Sequence, residues 1–162
     1  MTDFPALLDR FAAAVVANDG AGLAAVFTEK GTYEDGFFGA HTGRAVIAQM
    51  LQRFHDTGRD YRWDWFEPLC DGALGYARFR FSYASRLQGC EGRPVMFEGM
   101  SRFRFEGKLI AHYAEAWDRG VALVQLGLPP ERIARILDKA AAVQNGTPEA
   151  REHLVHLSPH PR

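Results

Sequence analysis

Only two of the 162 residues are cysteine, Cys70 and Cys90. They sit in turn-like surroundings without the close spacing of a metal-binding pair, so reduced thiols in a cytoplasmic protein are expected. Long apolar runs are missing as well, and the N-terminus lacks a signal-peptide pattern, so no membrane partner is expected. Nor is there an excess of one charge. Nineteen Lys and Arg against twenty Asp and Glu give a formal net charge of −1, which argues against a general nucleic-acid binder. No Gly-rich phosphate loop, Ser/His/Asp triad or partnered Cys nucleophile is visible. What the chain does have is 47% hydrophobic and 12% aromatic residues, enough for one well-packed domain.

Helical spacing comes first. Phe4, Leu7, Leu8, Phe11 and Val15 recur on one stripe, with Asp3 and Pro5 suited to a helix start. Asn18-Asp19-Gly20 ends that helix, and a short one follows with Leu23, Val26 and Phe27. An extended segment, Thr32–Asp35, leads into a Gly-rich connection through Gly36 and Gly39. A third helix is expected from Thr42, as N-cap, with Val46, Ile47, Met50, Leu51 and Phe54 on its stripe. After Gly58 the period changes to alternation, and Tyr61–Pro68, Leu74–Leu87, Pro94–Glu106 and Leu109–Asp118 read as four strands. Short reversals between them imply a mostly antiparallel sheet, and helices gathered at one end make the class α+β. A further helix is expected over Pro130–Ala142. The polar tail beyond Asn145 reads as a frayed last turn or disorder. We divide the chain into a pocket domain, 1–128, and a helical extension with its tail, 129–162, belonging to the same domain.

Alternation sorts the strand residues onto two faces. Trp63, Trp65, Phe79, Phe81, Tyr83, Phe97, Phe103, Phe105, Tyr113 and Trp117 share one; Arg78, Arg80, Arg102 and Arg104 take the other. Gly99 and Ser101 are small residues among large rings and leave volume there. Glu115, between Tyr113 and Trp117, is the lone charge of its strand on the aromatic face. A buried carboxylate without a partner is costly, so it must be protonated, partnered, or open to a wet cavity. A pocket between sheet and helices follows, since ligand sites are apolar with few polar groups. The alternative is a filled aromatic core, with Gly99 serving sheet curvature.

The most informative motif is Thr32-Tyr33-Glu34-Asp35-Gly36, adjacent carboxylates flanked by Phe27, Phe37 and Phe38. A carboxylate facing an apolar cavity loses hydration, and its pKa rises toward the range of a general base. The segment Tyr33–Asp35 is therefore the first place to look for chemistry, beside Glu115 on the aromatic face and with His41 as a candidate partner; the alternative is an acidic turn solvated at the surface. The expected ligand-binding residues are Phe11, Trp63, Trp65, Phe79, Phe81, Ser101, Phe103, Tyr113 and Trp117. His153 and His156 imitate a metal-ligand spacing, but no carboxylate stands at a suitable distance, so no metal is expected.

Two helices, Tyr33-Glu34-Asp35, a helix opening at Gly43-Arg44 and a long meander together resemble the nuclear transport factor 2-like superfamily. Ala116-Trp117-Asp118-Arg119-Gly120 followed by Gln125-Leu126-Gly127 is similar to its SnoaL-like, ketosteroid-isomerase-like branch. The resemblance covers about residues 4 to 127. It implies a cone-shaped, curved sheet wrapped around the N-terminal helices with an internal pocket, often dimeric, and the late helix as an extra element. Against ketosteroid isomerases, Asp35 matches the general base. Phe11 stands where that family has its oxyanion tyrosine, and Ser101 near its protonated aspartate. Loss of one such donor costs about 2.7–4 kcal/mol of transition-state stabilisation, so steroid isomerisation is not expected. Against limonene epoxide hydrolases, Tyr33 and Asp35 match water-holding positions and Glu115 one catalytic aspartate. Phe79 and Phe81 fall where its arginine and second aspartate would be, which disfavours epoxide hydrolysis.

The expectation is a cofactor-independent acid/base enzyme, an isomerase, cyclase or dehydratase, acting on a small apolar oxygenated molecule. The alternative is a non-catalytic carrier or sensor, or a dimeric interaction module. By family likeness, a homodimer through the arginine-bearing sheet face is expected.

Overall fold

Six strands form one open sheet in the order β2-β1-β6-β5-β4-β3. The computed structural model describes residues 3–157. Helix α1 (Phe4–Val16) starts where Asp3 accepts a hydrogen bond from the Ala6 N–H, with Pro5 in the first turn. The whole expected stripe, Phe4, Leu7, Leu8, Phe11 and Val15, is buried. Helix α2 (Gly20–Ala25) is capped by Asp19, and β1 runs over Phe27–Asp35. Strand β2 (Gly39–Thr42) lies where only a connection is expected from sequence. Two glycines hide its strand character, but it pairs antiparallel with β1 from Thr32↔Thr42 to Asp35↔Gly39.

Helix α3 (Arg44–Thr57) follows, and Gly43 rather than Thr42 is its N-cap. The Thr42 hydroxyl bonds Thr32 across the hairpin instead, at 2.9 Å, so a cap-type residue is used by the sheet. Ile47, Met50 and Leu51 are buried, whereas Val46 is exposed. The meander is β3 (Gly58–Cys70), β4 (Leu74–Ser85), β5 (Pro94–Glu106) and β6 (Leu109–Trp117). β3 outruns the expected Tyr61–Pro68 at both ends. It carries two register shifts, between Arg59 and Arg62 and between Phe66 and Leu69. Asp60 and Glu67 there adopt positive φ of 58° and 53°, so bulges bend the strand and interrupt the alternation that marks it in sequence. The sheet is mostly antiparallel, as expected; β1 against β6 is the parallel pair. This open, curved α+β sheet carries helices at its N-terminal side.

The chain divides into two compact units, Met1–Leu126 and Gly127–Arg162. The first ends with α4 (Arg119–Gln125), a helix absent from the sequence expectation, whose Asp118 cap accepts from the Gly120 and Val121 N–H groups. The second holds α5 (Pro130–Asn145) and α6 (Pro148–Leu154). The tail expected to fray thus forms a helix, capped by Thr147. Its last residues lie outside the described residues.

The two sheet faces separate as the alternation predicts. Phe79, Phe103, Tyr113 and Ser101 are fully or almost fully buried, and Phe81 and Phe97 nearly so. Phe11 reaches in from α1 and touches Phe27, Tyr33, Trp63, Trp65, Phe103 and Tyr113, with ring centroids 5.0–6.3 Å away. Gly99 opens no cavity: a Cβ there would lie 2.5 Å from the Ala116 carbonyl and 2.7 Å from the Phe79 ring. The volume it leaves is taken by its neighbours, which is how a close-packed interior uses a small residue. On the other face Arg80 pairs with Glu98 at 2.7 Å and Arg78 with Glu67 at 3.3 Å, exposed pairs of small energetic weight.

Truncating Phe11 removes the ring at the centre of this core. Phe11→Ala should lower unfolding free energy by about 3–5 kcal/mol, read from the urea midpoint. A loss below about 1 kcal/mol would mean that the ring is not core packing.

Candidate active site

β1 delivers Asp35 at its last residue, and β6 delivers Glu115 two residues before its end. Parallel pairing puts Tyr33 opposite Tyr113 and Glu34 opposite Ala114, so the two carboxyl-bearing strand ends lie side by side. Alternation then turns Asp35 inward with Tyr33 and leaves Glu34 outside, beside His112 at 3.4 Å. Asp35 is 5% exposed. Its Oδ1 accepts the Phe37 and Phe38 N–H groups at 2.7 and 2.6 Å.

Glu115 is held by three donors. Oε1 accepts the Gly36 N–H and the Trp117 indole N–H, both at 3.2 Å, and Oε2 accepts the Tyr113 hydroxyl at 2.9 Å. Behind Tyr113 stand the Ser101 hydroxyl at 3.0 Å and the Tyr33 hydroxyl. The two carboxyl groups are near enough for each to shift the other's titration. Glu115 as a residue keeps partial solvent access, while protein atoms enclose its carboxylate.

Two acidic groups this close cannot both ionise freely. Burial, and then the charge of Asp35, push Glu115 from 4.5 up to about 8. Burial also raises Asp35 from 3.8 to about 6, against the two turn N–H groups, the Arg119 guanidinium and the Glu115 carboxyl group, all of which favour its charged form. The values belong to the pair as it titrates. Burial and the Asp35 charge make Glu115 the more readily protonated of the two. Desolvation holds the Tyr33 and Tyr113 hydroxyls well above the usual phenol range, so both stay protonated donors.

Around the pair runs a closed circuit of six aromatic side chains. Phe37 meets Phe38 at 6.5 Å, Phe38 meets Phe54 at 5.5 Å, and Phe54 meets Phe81 at 6.3 Å. Phe81 then meets Phe97 at 5.5 Å, Phe97 stacks on Trp117 at 4.0 Å, and Trp117 meets Phe37 at 4.7 Å. Phe37 and Phe38 are exposed, whereas Phe81 and Phe97 are buried.

The structure thus brings Asp35, Glu115, Tyr33, Tyr113, Ser101 and Trp117 together. His41 lies on β2 opposite Tyr33, buried, with its Nε2 unpartnered and its pKa lowered by burial and by Arg53; no hydrogen bond joins it to Asp35. Phe11, Phe79 and Phe103 form the packed floor. Trp63 and Trp65 also border a separate open groove of about 550 Å³ against Asp9, Phe66 and Arg80. Sequence reasoning missed Phe37, Phe38, Phe54, Phe97 and Arg119 as site residues. The signal for the first two was present: adjacent phenylalanines in a glycine-bracketed turn directly after Asp35. No group of His, Cys, Asp and Glu among the described residues could hold a metal ion, and no helix is long and apolar enough to cross a membrane.

The SnoaL-like domain model matches residues 8–113, and the chain belongs to that family. Among solved structures, a Catenulispora acidiphila protein with a ketosteroid isomerase-like fold, in complex with trimethylamine, is 22% identical. It superposes with a TM-score of 0.67 over 81% of this chain and 98% of its own. A Shewanella putrefaciens protein regarded as a SnoaL-like polyketide cyclase is 15% identical, with a TM-score of 0.66 over 80% and 99% of the two chains. An LEH-like epoxide hydrolase of M. tuberculosis is 17% identical, with a TM-score of 0.61 over 83% and 94%. At these identities the likeness carries the fold. A comparison with curated proteins found no match.

A carboxyl group raised on folding stabilises the protein below its unfolded pKa and loses that contribution as pH climbs through the folded one. Stability should therefore fall as pH rises from about 4.5 toward 8, the span set by Glu115. Glu115→Gln keeps the size of the side chain and one acceptor oxygen, removes the ionisation, and should flatten the Tm profile between about pH 6 and 8. An equally steep fall in the variant would assign the effect to another group.

Proposed function

We propose that the protein is a cofactor-independent acid/base enzyme acting on a small, apolar, oxygen-bearing molecule at Asp35 and Glu115. The observation that carries this reading is the buried carboxyl pair with unequal surroundings, Asp35 held by two turn N–H groups and Glu115 by Gly36, Tyr113 and Trp117. Glu115 holds its proton and Asp35 remains ionised, so one group can donate to a substrate oxygen while the other accepts from carbon. The Tyr113 and Trp117 donors steady the Glu115 carboxylate after it gives up its proton. Isomerisation, cyclisation and dehydration all consist of such paired transfers. The aromatic circuit supports an apolar substrate, and the absence of a second oxyanion donor at Phe11 weighs against steroid isomerisation.

Two further expectations stand with this reading. A homodimer through the sheet face carrying Arg78 and Arg80 would leave the opposite, aromatic face, which holds the pair and its circuit, outside the interface. A carrier role would need only the aromatic surface, so it predicts ligand binding that Asp35→Asn leaves intact.

Turnover should separate the two. Against a panel of conjugated enones, β-hydroxy ketones and other small oxygenated compounds, Asp35→Asn and Glu115→Gln should each lower kcat by roughly 10²–10⁴-fold with the fold retained. The wild-type kcat profile should be bell-shaped, with limbs near the values of about 6 and about 8. Activity in both variants within about twofold of wild type would remove the carboxyl pair from the chemistry.

A further inference from the structure

We propose that the Gly36–Phe38 turn is a lid over the carboxyl pair, latched by the same two carboxyl groups, so that protonation of Asp35 loosens it. The inference rests on the acid/base reading, but its geometry stands apart from any substrate.

The turn begins where the hairpin ladder ends. Asp35↔Gly39 is the last pair between β1 and β2, so Gly36, Phe37 and Phe38 have no strand partner. All three of their N–H groups instead go to site carboxylates. Gly36 donates to Glu115 at 3.2 Å, and Phe37 and Phe38 donate to the same Asp35 oxygen at 2.7 and 2.6 Å. Backbone donors that could have been met by solvent are spent on the two groups under the turn.

The side chains complete the cover. Phe37 packs edge-on against Trp117 at 4.7 Å, and Phe38 leans on Phe54 at 5.5 Å, yet both stay exposed on their outer sides. Beneath them Asp35 is 5% exposed. Glycine at position 36 is required for this close seat, because a Cβ would lie 2.4 Å from the Trp117 indole nitrogen. At the far end Gly39 has φ of +80°, a conformation that few other residues adopt. The turn is thus bracketed by two glycines, holds two rings over the site, and is anchored by the carboxyl groups and by ring contacts with Trp117, Phe97 and Phe54.

An ionised acceptor makes a hydrogen bond roughly twice as strong as a neutral one. A proton on Asp35 therefore weakens two of the three latches together. Besides burial and the two turn N–H groups, Glu115 from β6 and Arg119 at the start of α4 set when this happens, while the Asp35 charge in turn raises Tyr33 on its own strand and Tyr83 on β4.

Amide exchange tests this without a substrate. Protection of the Phe37 and Phe38 amides, corrected for intrinsic exchange, should fall about tenfold between pH 8 and pH 5 in the wild-type protein. In Asp35→Asn, which keeps the acceptor but not its charge, protection should be low at both pH values and its pH dependence lost. Constant protection in the wild type, or a pH dependence that persists in the variant, overturns the latch. The acid/base reading fails separately: carboxyl titrations at ordinary values would sink it, and the exchange drop would then follow Asp35 at that lower pH.

Discussion

The electrostatic coupling of the Asp35 and Glu115 carboxyl groups at one rim of the sheet is the interaction on which the site depends. It exists because β1 and β6 run parallel, an arrangement confined to this pair of strands in the sheet. Parallel pairing puts two strand ends, and so two inward carboxyl groups, at one rim. Every other polar feature there follows from them. Tyr113, Trp117 and the turn amides supply donors to groups that would otherwise be buried charges without partners. A proton on Glu115 removes the remaining conflict.

The rest of the inner face is apolar and close-packed, and this is part of the same arrangement. Phe11, Phe79 and Phe103 exclude water from the floor. Exclusion raises both carboxyl groups and lengthens the reach of each charge, which makes the pair responsive to a single proton. The hydroxyl chain Ser101–Tyr113–Glu115 crosses that floor, so its donors are in place before any ligand arrives.

Much of this was legible in the chain. The faces of β4, β5 and β6 follow from strict alternation, and Glu115 declares itself by standing charged on an aromatic row. Asp35 is legible from the residues around it, and strand parity separates it from Glu34. The turn and the circuit were harder. Phe54 comes from α3 and Phe97 from β5, so only tertiary packing joins them to Phe37 and Phe38. β2 is masked by its glycine and β3 by bulges at Asp60 and Glu67, where sheet curvature overrides local period. Gly99 misleads in the other direction: its small size reads as open volume, whereas the Phe79 ring and the Ala116 carbonyl fill it. Helix α4 was hidden in a segment whose Asp118 cap reads equally well as a strand end.

The central claim is that these two carboxyl groups titrate as a coupled pair, with Glu115 holding its proton at neutral pH. Titration of selectively ¹³C-labelled Asp and Glu side-chain carboxyl groups measures it directly. The account predicts that Asp35 and Glu115 report a common two-step titration, with midpoints near 6 and 8, and that Glu115→Gln shifts the Asp35 curve. Two independent curves at ordinary carboxylate values, with Asp35 indifferent to Glu115→Gln, would contradict it.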